Sequence, residues 1–157
     1  MNQVPTSILF VCTGNTCRSP MAAAICTDLI AKNYPQYKDV IEISSAGCRT
    51  IVGIPATKEA IKVMAAKAIS ITDHRSRPVE TYMLEQADLI VVMGEGHRYY
   101  LHQGSRPEVR EKIFSLREIA LEMGDIVDPI GQGEETYRQT AEELERLIVL
   151  MLQRLLK

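Results

Sequence analysis

Apolar residues along this chain fall into short dense runs, separated by longer stretches in which they recur at three- and four-residue intervals. The dense runs are Ile8–Val11, Val40–Ser45, Ala87–Met93 and Lys112–Leu116. Each is short for a helix and draws on β-branched or aromatic residues, which predicts strands, the third being the most central. The spaced stretches predict helices over 20–32, 56–68, 79–86, 95–103 and 134–157. In the second of these, Ala60, Ile61, Met64 and Ala65 share the inward face while Lys58, Lys62 and Lys67 look to solvent. In the last, Leu144, Leu147, Ile148, Met151, Leu152 and Leu155 form one stripe suited to covering a sheet. Strand, helical crossover and strand make a βαβ unit, which calls for parallel pairing with a right-handed connection. The expected architecture is α/β: a single three-layer domain over 1–157, with a four-stranded parallel sheet flanked by helices on both faces. The polar stretch 33–39, broken by Pro35, reads as a surface loop. Residues 46–55 leave the carboxyl end of the second strand, where open α/β sheets bind ligands, and two readings stay open for them: plain connection, or one wall of a pocket mouth.

Composition narrows the classes. With 157 residues and 46% hydrophobic content the chain can bury one sizeable core, and a net charge of −2 gives no general attraction to nucleic acid or to an anionic membrane. Residues 1–6 have neither the basic region nor the apolar core of a signal peptide, and no apolar run is long enough to span a bilayer, so a soluble, cytoplasmic protein is expected. All four cysteines, Cys12, Cys17, Cys26 and Cys48, lie in the first third of the chain, which is no framework for a stapled secreted fold. Cys26 and Cys48 read as small buried residues, and the methionines as core filler. His97 and His102 have no second ligand at metal spacing and read as solvated surface.

The chemistry concentrates between the first predicted strand and the first predicted helix, in Val11-Cys12-Thr13-Gly14-Asn15-Thr16-Cys17-Arg18-Ser19-Pro20. Ser19 suits an N-cap and Pro20 the first helical position, where a missing N–H costs nothing. A loop of five residues closing onto a helix N-terminus can curl its N–H groups inward as an anion nest. Gly14 permits the positive φ of such a curl, and Asn15 tolerates the left-handed region while its amide ties back to the loop. A thiol at the rim of that nest sits in a field that favours thiolate, which marks Cys12 as a nucleophile. Arg18, a planar fork that stays charged, matches two oxygens of a phosphoryl group at once. Thr13, Gly14, Asn15, Thr16 and Cys17 complete the expected substrate cradle. Cys17 shares a loop with Cys12, and a reversible disulfide between them would protect the nucleophile from over-oxidation.

Cys12 and Arg18 stand at the Cys-x5-Arg spacing of cysteine-dependent phosphatases. The longer string Cys-x-Gly-Asn-x-Cys-Arg-Ser-Pro, placed near the N-terminus, resembles the low-molecular-weight protein-tyrosine-phosphatase family. With Thr13 and Thr16 at the variable positions, where tyrosine-specific members typically place bulky apolar residues, this version is similar to the protein-arginine-phosphatase branch. The resemblance implies a phosphatase of phosphorylated proteins, acting on phosphoarginine through a phosphocysteine on Cys12, opposed by a counteracting protein kinase, and needing neither metal nor cofactor. Asp128-Pro129, within the glycine-rich stretch 124–133, resembles the family's Asp-Pro general acid, with Asp125 as its local competitor. The Ser-Ala-Gly run at 45–47 and the Asp-His-Arg-Ser run at 73–76 resemble supporting segments, which implies Ser45 and His74 as buttresses of Asn15. Ser19 would donate a hydrogen bond to the Cys12 sulfur. Tyrosine phosphatases of the family usually follow Asp-Pro with aromatic residues that sandwich the substrate ring; here Ile130 stands in that place, and a tyrosine ring would lose its stacking partner. The rivals are a phosphotyrosine phosphatase of the same chemistry, a thiol-dependent arsenate reductase, for which no cysteine follows Cys48 to act as a relay, and a non-catalytic phosphopeptide-binding module.

Overall fold

Ser7–Cys12 (β1) is buried on both faces, and its alternate side chains feed two separate cores. Ile8, Phe10 and Cys12 pack with Met21, Met64, Leu144 and Ile148 on one side of the sheet, while Leu9 and Val11 pack with Met83, Leu84, Leu101 and Val109 on the other. A strand covered on both faces cannot alternate polar with apolar, hence its continuous apolar run. The computed structural model describes residues 3–156. After β1 come α1 (Arg18–Asn33), a 3-10 turn (Pro35–Tyr37), β2 (Glu42–Gly47), α2 (Lys58–Ala65), α3 (Thr81–Gln86) and β3 (Leu89–Val92). Then follow α4 (Glu95–His102), α5 (Pro107–Arg110), β4 (Ile113–Ser115), α6 (Leu116–Ile119) and α7 (Glu134–Leu155).

The four strands pair in parallel in the order β2-β1-β3-β4, so this is the three-layer α/β architecture expected, with α1, α2, α6 and α7 over one face and α3, α4 and α5 over the other. Cys12 lies opposite Gly47 and Val11 opposite Val92, which brings the carboxyl ends of three strands level. From β1 the chain turns to β2 on one side and later returns to β3 on the other. The strand order reverses there, and the loops after β1 and β3 diverge to leave a crevice at the carboxyl edge. Among the described residues, no helix is long and apolar enough to cross a membrane.

The α7 stripe is buried as its period predicts, and each of Leu144, Leu147, Ile148, Met151 and Leu152 contributes roughly 1.5–3 kcal/mol by leaving water. Lys157, the predicted last residue of that helix, lies outside the described residues. Other expectations are corrected. The central position is shared by β1 and β3 rather than held by β3 alone. Residues 79 and 80 of the predicted third helix are not helical: Gly47 N–H donates to Arg77 O and Val79 N–H to Gly47 O, so residues 77–79 extend the sheet edge before α3 begins at Thr81. Thr57, accepting Ala60 N–H at 3.3 Å, starts α2 later than predicted. That helix buries Ala60, Val63 and Met64 and leaves Ala65 exposed, because 60, 63 and 64 share a stripe from which 65 is rotated. Lys67 pairs with Glu145 of α7 at 2.6 Å instead of facing free solvent. Met123 is 93% exposed, since it lies in the irregular link after α6 where no period turns it inward.

Candidate active site

The loop from Thr13 to Cys17 is shaped by where its carbonyls go. Thr13 O accepts Arg49 N–H at 2.8 Å, Asn15 O is met by His74 Nε2 at 2.7 Å, Thr16 O accepts Thr57 N–H at 3.0 Å, and Cys17 O accepts Met21 N–H at 3.1 Å. In a planar trans peptide the N–H points opposite to its carbonyl. Carbonyls drawn outward on all sides therefore turn the amides of Gly14, Thr16, Cys17 and Arg18 toward the inside of the curl, which is an anion nest built by its surroundings. The stretch after β2 forms one of those surroundings: Cys48 N–H donates to Cys12 O and Arg49 N–H to Thr13 O, so its first half is a wall of the site. Gly47 is required there, because a Cβ would lie 2.7 Å from Thr13 O.

The left-handed residue of the curl is Asn15, with φ of 57°, and not Gly14. A non-glycine residue in that region costs about 1–2 kcal/mol. Asn15 offsets this with a complete set of bonds: Nδ2 donates to Ser19 Oγ (2.8 Å) and Ser45 Oγ (2.9 Å), and Oδ1 accepts Arg77 N–H (3.0 Å). Ser45 and His74 thus both touch Asn15. Burial, more than any neighbour, holds His74 below its ordinary range, so near neutral pH the ring is uncharged and its Nε2–H is the donor to Asn15 O.

Helix α1 begins at Arg18, two residues before the Pro20 start expected, and Cys17 rather than Ser19 holds the N-cap position, with no side-chain capping bond. Ser19 is wholly buried inside the first turn and turned to the loop: its Oγ accepts a hydrogen bond from Asn15 Nδ2 and lies 2.9 Å from Cys12 Sγ. Since Oγ already accepts from Asn15, its own proton is free for the sulfur. Cys12 is at the floor of the nest, 1% exposed.

Arg18 crosses the mouth. One Nη1 hydrogen goes to Ile126 O (3.0 Å), Nη2 lies 3.5 Å from Thr13 Oγ1 and 3.4 Å from Asp128 Oδ2, and the buried Nε has no hydrogen-bond partner among the described residues. Asp128, 42% exposed, overhangs the site; its Oδ1 accepts Ile130 N–H at 3.2 Å and is 3.8 Å from Cys17 Sγ. Asp125 is turned away, with Oδ1 accepting the Glu95 N–H that opens α4. Ile130 stands on the outer lip, 54% exposed. Burial pushes the Cys17 thiol up to about 12.

His97 corrects the sequence reading. It is half-buried, with Nε2 2.9 Å from Thr13 Oγ1, where a solvated surface residue was expected. Its position just beyond the carboxyl end of β3, on the rim of the crevice, is the signal that histidine spacing alone misses. His102, at the far end of the same helix, is partly exposed.

A family model described as low molecular weight phosphotyrosine protein phosphatase matches residues 7–157. A protein-arginine-phosphatase of Geobacillus stearothermophilus is 38% identical over 153 residues, 97% of each chain. Among solved structures, the low molecular weight protein tyrosine phosphatase of T. tengcongensis has a TM-score of 0.85 at 40% identity, covering 94% of this chain and 98% of that one. A mutant of the YwlE arginine phosphatase with a phosphorylated active-site serine has a TM-score of 0.87 at 33% identity over 95% of each chain. Matched along nearly its whole length, the chain belongs to the low molecular weight phosphotyrosine protein phosphatase family.

Proposed function

We propose that this protein is a protein-arginine phosphatase working through a phosphocysteine on Cys12, with Arg18 and the loop amides holding the phosphoryl oxygens and Asp128 moving the proton. The observation that carries the reading is the buried, unpartnered Nε–H of Arg18 beside a curl of inward amides, above a cysteine sulfur. An unpaired buried donor costs roughly 1–3 kcal/mol, and a phosphoryl oxygen seated there recovers it. Cys12 attacks phosphorus and the P–N bond breaks. Guanidine is a strong base and departs only with a proton delivered to its nitrogen, which Asp128 supplies, having taken up a proton once the phosphoryl group has replaced it on Arg18. Asp128, now a carboxylate, takes a proton from the water that cleaves the phosphocysteine, and phosphate leaves. In the resting site Asp128 leans on Arg18, so an entering phosphoryl group displaces it from the guanidinium. The substrates are phosphorylated proteins, supplied by a protein kinase of opposite activity.

Thr16 supports arginine over tyrosine. The phosphorus of phosphoarginine hangs on a planar group whose N–H donors need polar neighbours, and a threonine hydroxyl meets them where an apolar side chain would leave them unpaired. The Geobacillus relative carries the arginine-phosphatase name. The tyrosine reading keeps one observation, the tyrosine-phosphatase name of the structure at 40% identity; against it, Ile130 offers no ring to stack on a phenol. On one preparation, kcat/KM for a phosphoarginine peptide should exceed that for a phosphotyrosine peptide, and Thr16→Ile should move the ratio toward tyrosine by about tenfold or more. An unmoved ratio removes Thr16 as selector.

The loop also carries a redox expectation. Peroxide takes Cys12 to a sulfenic acid, and the Cys17 thiol then displaces water to close a disulfide. With Cys17 pushed up to about 12, little thiolate is present and closure is slow. Time-quenched mass spectra should catch the sulfenic acid before the Cys12–Cys17 bond; absence of the bond at every time retires the pairing.

A further inference from the structure

Thr13 and His97 meet across the site from positions 84 residues apart. Thr13 directly follows Cys12, and His97 lies in the first turn of α4, the helix leaving the carboxyl end of β3. His97 Nε2 is 2.9 Å from Thr13 Oγ1, while Nδ1 is buried with no partner among the described residues. On its other side Thr13 Oγ1 receives an Arg18 Nη2 hydrogen at 3.5 Å.

The chemistry of these groups fixes where the protons are. Arginine only donates, so Thr13 Oγ1 is the acceptor toward Arg18. Were Thr13 also to donate to Nε2, the imidazole proton would sit on Nδ1 as a buried unpaired N–H, the kind of orphan that folded proteins rarely keep. With Nε2–H donating to Thr13, Nδ1 is left a bare lone pair, the smaller cost. The ring is neutral: burial first, then the Arg18 cation, holds His97 down to about 4 against the pull of Asp125 and Asp128. Both lone pairs of Thr13 Oγ1 are then taken by N–H donors. Its own proton points away from Arg18 and His97, and the acceptor that fits it is an oxygen seated in the nest beside Cys12.

We propose that His97 is a positioning residue that donates to Thr13 and thereby aims the Thr13 hydroxyl at a phosphoryl oxygen, adding a side-chain donor to the cradle. The inference rests on the phosphatase reading of this loop. It explains why a histidine is carried at the rim with one nitrogen unsatisfied: its task is to fix a proton on another residue. A valine at 13 removes the donor; an alanine at 97 leaves the hydroxyl free to turn its proton elsewhere.

The test uses the full chain, with inorganic phosphate as the probe, its binding measured by calorimetry, and with turnover of a generic aryl phosphate. Thr13→Val and His97→Ala should each weaken phosphate binding roughly 3- to 10-fold, the scale of one hydrogen bond. The double variant should be no weaker than either single one, because both remove the same donor. Thr13→Ser and His97→Gln, which keep the hydroxyl and an N–H near Nε2, should recover most of the phosphate binding that Thr13→Val and His97→Ala lose. Nitrogen-15 NMR of the imidazole should show the Nε2–H tautomer at neutral pH. The proposal is overturned by the Nδ1–H tautomer, by effects that multiply in the double variant, or by phosphate binding unchanged in Thr13→Val. Should His97→Ala not fold, the two Thr13 variants, His97→Gln and the tautomer still decide between the two outcomes. Wild-type turnover that does not depend on Cys12 would defeat the phosphatase reading instead, while phosphate binding continues to judge this one.

Discussion

Cys12→Ser should abolish turnover while leaving the loop able to bind phosphate. The two side chains are close in size, the position is buried, and Ser19 Oγ at 2.9 Å remains to meet a hydroxyl as it meets the sulfur. What changes is the nucleophile. An alcohol needs a base to become reactive, and among the described residues none is hydrogen-bonded to this atom: its partner Ser19 is itself a hydroxyl, His74 is engaged with Asn15, His97 with Thr13, and Asp128 with Arg18 and the Ile130 N–H. A nest of amides and a guanidinium can stabilise an anion but cannot accept a proton. The expected fall in kcat is at least about 10⁴-fold, the order seen when a nucleophile is removed from a site whose other parts remain. Steady-state assay with an aryl phosphate reads the loss, and calorimetric titration with inorganic phosphate reads the retained cradle. A variant that keeps activity within tenfold of the parent would place the nucleophile elsewhere.

The strand, the loop and the helix behind it were legible because their determinants are local. A β-branched run, a glycine and asparagine, an arginine and a helical period all lie within Ile8 to Ile25, and the parallel sheet follows from how such units connect. What was not legible depends on contacts made across the chain. The positive φ falls on Asn15 because Ser45, His74 and Arg77, thirty or more residues away, satisfy its polar atoms; from local propensity Gly14 was the better candidate. Ser19 looks like a cap by type, yet its hydroxyl is claimed by Asn15 and Cys12, so the helix starts without one. His97 is the largest omission, since neither period nor metal spacing marks a residue whose partner lies 84 positions back. The short helices α5 and α6, of four residues each, carry too few turns for a period to register.

Asp128→Asn should separate the chemistry of the leaving group from everything else in the site. Asparagine is isosteric and its amide oxygen can still accept the Ile130 N–H that holds position 128, so the loop has no reason to move. Two quantities should then shift in the same direction for different reasons. Removing a carboxylate that rests 3.4 Å from Arg18 frees the guanidinium and takes a negative charge from the path of a phosphate dianion, so KM should fall. Removing the proton donor should lower kcat, by roughly 10²- to 10⁴-fold where the leaving group is a guanidine or an alkyl-substituted phenol, and by much less where an acidic phenol can depart unprotonated. The steepened dependence of kcat on leaving-group basicity is therefore the signature, and a series of aryl phosphates plus a phosphoarginine peptide measures it. Asp125→Asn provides the contrast: its carboxylate serves the Glu95 N–H at the start of α4, a duty asparagine performs nearly as well, so leaving-group dependence should stay that of the parent. A loss in Asp128→Asn that is equal for good and poor leaving groups would mean that the residue shapes the cleft without moving a proton, and the acid would have to be sought elsewhere on the glycine-rich loop.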